Sequence, residues 1–155
     1  MREIELVNGG AVIVDGEWFV VLNKWSWHLN NKGYAVRRIG PRKQKQTIYM
    51  HRYICMVPDA YQVDHINNNP LDCREDNLRI VLPEKNYYNR PPQANNTSGY
   101  KGVCYDKMRG KYMASISCKG HQRSLGRYNT PEEAAEAYNK AAIELHGEYA
   151  WLNDV

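Results

Sequence analysis

The strongest constraint in this chain is the stretch from Val63 to Arg90. It opens with Val63-Asp64-His65-Ile66, a short apolar-flanked run that suits one strand. Asn67-Asn68-Asn69-Pro70 follows, a cluster that interrupts regular structure and makes a loop. Leu78 to Val81 is apolar and partly β-branched, a second strand. Pro83 suits the first turn of a helix, where its missing N–H costs nothing. On that helix Asn86 and Asn89 stand three apart, so they share a face. The order is strand, loop, strand, helix, with Asp64, His65 and Asn86 able to converge.

Those residue types carry a definite chemistry. A hard divalent cation takes oxygen ligands, and a carboxylate with an amide carbonyl suits it. A neutral histidine beside it can take a proton from water. Metal and histidine together are a workable kit for hydrolysing a phosphodiester. An isolated Asp-His pair is more often a surface loop, so the weight rests on the whole spacing.

That spacing resembles the HNH endonuclease family of phage and intron-encoded homing enzymes. The pattern is a strand ending in Asp64-His65, then Asn77, then Asn86 on a helix. The surrounding words agree: Met50-His51-Arg52-Tyr53, Val63-Asp64-His65-Ile66-Asn67 and Asp76-Asn77-Leu78-Arg79. The resemblance implies His65 as general base and Asp64 and Asn86 as metal ligands. It implies Asn77 as the residue that orients the histidine.

The chain of 155 residues fits one ordinary domain or two small ones. No apolar run is long enough to span a bilayer. The start, Met1-Arg2-Glu3-Ile4-Glu5, lacks the shape of a signal peptide, so a cytoplasmic protein with no membrane partner is expected. Cys55, Cys73, Cys104 and Cys118 show no Cys-x-x-Cys spacing, so reduced thiols and no zinc are expected.

The net charge of +4 conceals a pattern. Lys32, Arg37, Arg38, Arg42, Lys43 and Lys45 form a basic stretch with no acid among them. Between Asn95 and Thr130 lie Lys101, Lys107, Arg109, Lys111, Lys119, Arg123 and Arg127, with Asp106 the one acid. Two basic surfaces suit a polyanion.

Residues 1–50 read as a β-rich lead-in. Ile4 and Leu6 mark one strand, and Val12-Ile13-Val14 a second after the Gly9-Gly10 turn. Asp15 to Asn23 suits a strand or a short helix, and Asp15 as a cap favours the helix. Asn30-Asn31-Lys32-Gly33 is a hairpin turn between a strand after Trp27 and the strand Tyr34 to Ile39. Thr47 to Met50 is another strand. The tryptophans fit core anchors better than base-stacking groups. A helix is expected from His51 to Met56, with Arg52 able to approach the scissile phosphate. His51 has either that role or a structural one.

The composition changes after Arg90. Residues 93–99 read as a linker, kept extended by Pro91 and Pro92. Three strands and a helix follow: Tyr100 to Tyr105, Lys111 to Cys118, Gln122 to Tyr128, then a helix to about His146. Alternation sets Tyr112, Ala114, Ile116 and Cys118 against Lys111, Met113, Ser115 and Ser117. Thr130-Pro131-Glu132-Glu133 is a capping box with proline at the first helical position.

This part resembles the ethylene-response-factor (APETALA-type) DNA-binding domain. The matching words are Ser98-Gly99-Tyr100-Lys101-Gly102-Val103, Leu125-Gly126-Arg127-Tyr128, Thr130 to Tyr138 and Gly147 to Asn153. The resemblance implies a sheet laid into the major groove and backed by the helix. The plant family's arginines and tryptophans on that face are mostly absent here.

The expected fold is α+β: a β-rich N-terminal part with a ββα-metal unit, then a three-stranded antiparallel sheet on one helix. Expected domains are 1–92, with the nuclease core at about 50–90, and 100–155 beyond the linker. The expected function is that of a monomeric, site-specific, homing-type DNA endonuclease that nicks double-stranded DNA with Mg²⁺ or Mn²⁺. Phage or host cytoplasm is the expected setting. A DNA-binding regulator with a decayed nuclease is the alternative, and intact Asp64, His65, Asn77 and Asn86 argue against it. Expected DNA contacts are Lys101, Tyr105, Lys107, Arg109, Lys111, Ser115, Ser117, Gln122, Ser124, Arg37, Arg38 and Arg52.

Overall fold

The computed structural model describes the backbone of residues 1–155 and every side chain except that of Glu84. The chain forms two compact units, Met1–Pro83 and Glu84–Val155. The architecture is α+β, built from several small antiparallel sheets and few helices.

In the first unit, β1 (Arg2–Glu5) pairs antiparallel with β2 (Ala11–Val14). Ile4, Val12 and Val14 point inward from this hairpin. The helix α1 (Gly16–Leu22) follows, as its Asp15 cap suggested. The Asp15 carboxylate does not cap α1, however; it accepts from Glu75 N at 2.8 Å. A three-stranded sheet comes next, in the order β3 (His28–Leu29), β4 (Ala35–Ile39), β5 (Gln46–Tyr49). Trp27 is fully buried and its indole N–H donates to Leu22 O at 2.9 Å, so it anchors the core. Burying so large a ring while its one donor finds a partner is what makes tryptophan useful there. The core gathers Ile4, Leu6, Leu22, Met50, Ile54 and Cys73 around it.

The helix α2 (Met50–Cys55) ends where Met56 enters the left-handed region. The hairpin of β6 (Gln62–His65) and β7 (Leu78–Val81) then carries the stretch that stood out in the sequence. Its long connection is fastened to the lead-in: Ile13 N donates to Leu71 O and Cys73 N to Ile13 O, both at 2.8 Å.

The second unit takes over within α3 (Pro83–Asn86), which is a single turn. The expected longer helix carrying Asn86 and Asn89 on one face is not formed; Asn89 lies buried in the turn beyond. The expected boundary at residues 92–93 also shifts, because Tyr88 is committed to the second unit. Its ring stacks on His146 at 3.8 Å between centroids, 6° from parallel. Its hydroxyl accepts from Lys119 N at 3.3 Å, and its carbonyl from Trp151 N at 3.2 Å.

The sheet of the second unit has the order β10 (His121–Tyr128), β9 (Lys111–Cys118), β8 (Val103–Asp106), all antiparallel. The helix α4 (Pro131–His146) packs across one face. Its capping box is complete: Glu133 N donates to Thr130 Oγ1 at 3.2 Å and Thr130 N to Glu133 Oε2 at 3.4 Å. Val103, Ala114, Ile116 and Leu125 meet Ala134, Ala135, Tyr138, Ala141 and Ala142 of α4. Alanines let the helix approach closely, and one glycine completes the fit. Gly102 has φ +77°, and a Cβ there would stand 2.2 Å from the Tyr138 ring and 2.6 Å from Ser115 O.

Two outcomes are expected. Gly102→Ala combines a left-handed backbone with a ring and carbonyl clash, and should cost about 3 kcal/mol or more in the second unit's unfolding free energy. A fragment of residues 84–155 should melt cooperatively, while 95–155, lacking the Tyr88 ring, should lose about 3 kcal/mol or more. Equal melting curves for the two fragments would show that Tyr88 contributes nothing.

Candidate functional site

The register of the β6–β7 hairpin builds the site. Asp64 stands opposite Arg79 and His65 opposite Leu78. Asp64 is 6% exposed, and its Oδ2 accepts from Arg79 Nη2 at 2.6 Å and Nε at 2.8 Å. Removing one member of so buried a pair is costly, since the other is left charged and unpaired.

His65 is equally buried, at 5%. Its ring is 5.1 Å from that of His51, edge to face, and 5.9 Å from that of Tyr34. Its Nε2 lies 4.0 Å from Cys73 Sγ. Burial raises the Cys73 thiol to about 12, helped by the charge of Asp72, so it stays protonated beside the ring. Burial lowers the pKa of His65, against the pull of Asp64 and Asp72, which favours the neutral imidazole.

Asn77 sits in the 3₁₀ turn Glu75–Asn77 before β7. Its Oδ1 accepts from Asn67 N at 3.0 Å; its Nδ2 donates to Asn67 Oδ1 at 3.0 Å and Asp72 O at 2.8 Å. Its own carbonyl accepts from Ile66 N at 2.9 Å. Asn77, expected to orient the histidine, thus bonds the loop that leaves His65. Asp72 completes the loop, accepting from Arg74 at 2.7 and 2.8 Å and from Asn67 Nδ2 at 2.9 Å. Asn86 lies at the end of α3 in the second unit.

His51, left open between two roles, is 7% exposed, ringed by Tyr34, Tyr49 and His65. Its Nδ1 has no partner among the described residues. Arg52, expected at the phosphate, is occupied instead by the turn after α2. Its guanidinium donates to Tyr61 O at 2.9 Å and Pro58 O at 3.2 Å, and Asp59 lies at 3.5 Å.

Lys32, Arg37, Arg38 and Lys45 of the basic stretch line an open concavity of about 940 Å³ on the first unit, with no acid in its walls. Lys24, Lys32, Arg38 and Lys45 are exposed there. Arg37 is different: its guanidinium packs on the Trp25 ring at 3.8 Å and its Nε is buried.

In the second unit the register sorts the expected contacts. Ser117 opposes Gln122 and Ser115 opposes Ser124, so all four project from the face away from α4. Gln122 Nε2 donates to Ser115 Oγ at 3.1 Å. Tyr105 does not join them, because it pairs with Tyr112 on the helix side of the sheet, their rings 5.0 Å apart. Lys107, Arg109 and Lys111 are exposed at the end of β8 and β9, and Asp106 holds Arg109 at 3.2 Å and Arg127 at 3.4 Å. Lys101, expected at a phosphate, gives two of its three N–H donors to the carbonyls of Tyr88 and Arg90, both at 2.7 Å. Burial and the Arg90 charge lower it to about 8.

The HNH endonuclease family matches residues 49–87 and the AP2 domain residues 98–148. An uncharacterised HNH endonuclease of Acanthamoeba polyphaga mimivirus is 33% identical over 148 residues, 95% of this chain and 76% of the relative. Protein 3.8 of Escherichia phage T7 is 36% identical over 94 residues, 61% of this chain and 77% of the relative. Protein 2.8 of the same phage is 30% identical over 79 residues, 50% and 55% of the two chains. The chain belongs to the HNH endonuclease family and carries an AP2 DNA-binding domain. No helix among the described residues is long and apolar enough to cross a membrane.

The histidine pair has a measurable signature. An ordinary histidine titrates at 6.5, but burial, with smaller help from His65 and Arg52, lowers His51 to about 3. Between those values the unfolded chain takes up a proton at this position and the folded chain does not. The stability contributed is whole above pH 6.5 and declines as pH falls toward 3. His51→Phe cannot titrate, so its urea midpoint should fall less steeply than the wild type's over that range. Parallel curves would contradict the burial of a neutral His51.

Proposed function

We propose that this nuclease is a site-specific, homing-type enzyme that nicks double-stranded DNA as a monomer, with a histidine base and one divalent cation. The observation that carries the reading is the β6–β7 hairpin, which holds a buried carboxylate and a burial-neutralised histidine side by side.

In this reading His65 takes the proton of the attacking water, a task that needs the neutral ring. Asn77 positions it by fixing the loop that starts at Ile66. Arg79 fixes the Asp64 carboxylate from the neighbouring strand. Asp64 and Asn86 are the proposed ligands, both hard oxygen donors, which suits Mg²⁺ or Mn²⁺ rather than zinc. Two protein donors leave room for a cation that keeps several waters, the habit of magnesium. Such a cation supplies charge stabilisation at the reacting phosphate.

The second unit chooses the site. Ser115, Ser117, Gln122 and Ser124 offer hydroxyl and amide groups to base edges, while Lys107, Arg109 and Lys111 hold phosphates. The exposed cations of the first unit's concavity, Arg38 among them, grip backbone near the cut, with Arg37 braced by Trp25. Its setting is the cytoplasm of a phage or viral host, in line with the sources of its relatives.

The test is cleavage of supercoiled DNA carrying a selected binding site. Wild-type protein should nick it in Mg²⁺ and stop in excess EDTA. His65→Ala should cut at least about a hundredfold more slowly, with DNA affinity unchanged. Full activity in EDTA, or near wild-type cutting by His65→Ala, would overturn the mechanism.

A further inference from the structure

The segment before the AP2 match, residues 87–96, runs from the end of the expected nuclease domain into the expected linker at 93–99. The structure shows a strap fastened at both ends. At one end Tyr88 stacks on His146, and the carbonyls of Tyr88 and Arg90 both accept from Lys101 Nζ at 2.7 Å. At the other, Asn96 Oδ1 accepts from Ser98 N and Gly99 N at 2.9 Å, and its Nδ2 donates to Tyr100 O at 2.8 Å. Between these anchors the strap forms one wall of a groove of about 500 Å³. The other wall is the sheet, where Ser115, Ser117 and Gln122 line it.

The lining defines what this groove accepts. None of its lining residues carries a carboxylate, while Arg90 and Lys101 are both cations. Lys101 lies in the groove lining and has three N–H donors, of which the two carbonyls take two. The exposed arginine at the rim, Arg90, lies over the Tyr87 ring at 5.2 Å and has no carboxylate partner among the described residues. Gln93 and Asn95 add exposed amides from the strap. Cations with neutral donors and no acid suit an anionic, hydrogen-bond-accepting chain. The groove is also continuous with the face that carries Ser115, Ser117 and Gln122. A strand whose bases meet that face must run its backbone past the edge of the sheet.

We infer that the strap groove seats the sugar–phosphate backbone of one strand of the DNA duplex, with Arg90 and Lys101 on its phosphates and Gln93 and Asn95 beside them. The AP2 module of this chain then has a DNA-binding surface that extends some ten residues before the family match. The strap positions the duplex and the sheet chooses the bases, as phosphate and base contacts divide elsewhere. This rests on the reading of the second unit as the DNA-binding part.

The experiment uses the full chain in EDTA, so that DNA is bound and not cut, with a duplex selected from a randomised pool. Arg90→Gln and the pair Gln93→Ala with Asn95→Ala alter exposed side chains, and melting curves confirm that each variant is folded. The dependence of log affinity on log salt should fall by about one in slope for Arg90→Gln. Ethylation of one or two phosphates on a single strand should block wild-type binding and no longer matter to the combined variant. The selected sequence should stay the same. Unchanged slope and ethylation pattern in folded variants would overturn the strap assignment alone. A changed sequence preference would also overturn it, since the strap would then read bases. Failure of the wild-type protein to bind any duplex would overturn both this inference and the reading of the unit it rests on.

Discussion

Asp64 is a carboxylate held away from water, and Arg79 is what makes that tolerable. The pair spans two strands, so it ties the ionic contact to the register of the β6–β7 hairpin. A slip of one residue would turn both side chains to opposite faces and leave a charge buried without its partner. The same register sets His65 beside Asp64 and opposite Leu78, against Cys73, His51 and Tyr34. The loop that joins the strands is then closed from within, by Asn67, Asp72 and Asn77, and from outside by Ile13. The lead-in strands thus hold the site's loop as well as completing a core.

The second unit is organised by a different economy. Its helix is rich in alanine, and the close approach this permits leaves no room for a side chain at Gly102. The face away from the helix carries Ser115, Ser117, Gln122 and Ser124, with Met113 and Cys104 beside them. A buried tyrosine and a half-buried lysine then bind the segment before the sheet to its body. Such fixed surroundings are what a recognition surface needs, because groups already in place lose little freedom on binding.

Much of this was legible in the sequence because its signals are local. Alternation separated Ala114 and Ile116 from Ser115 and Ser117. The Thr130 capping box needed only four residues to be read. The Asp64-His65 strand and its partner followed from loop chemistry and β-branched residues. What escaped depends on distant partners. Nothing near Tyr88 announces His146, so the segment after α3 was assigned to the nuclease side and given too long a helix. The carbonyl partners of Lys101 and of Arg52 were not legible either, because they are set by how distant turns fold back. Tyr105 was placed on the wrong face because its register with Tyr112 is a pairing fact. The bonds by which Asn77 closes the loop after His65 depend on Asn67 and Asp72, and no local signal shows them. The Arg79 pairing was readable in principle, since a strand that begins at Leu78 puts Arg79 across from Asp64.

The central claim is that the HNH residues cut and the AP2 sheet chooses where. The measurement is sequencing of the ends that wild-type protein and Gln122→Ala leave in a library of randomised duplexes, in Mg²⁺. The account predicts that the variant relaxes preference at one position of the site, losing about 1–3 kcal/mol there. It also predicts that the nick stays at the same distance from the site, and that the rate on the variant's own best sequence matches wild type. An unchanged sequence preference combined with slower cutting would place Gln122 in the chemistry and contradict the division of labour.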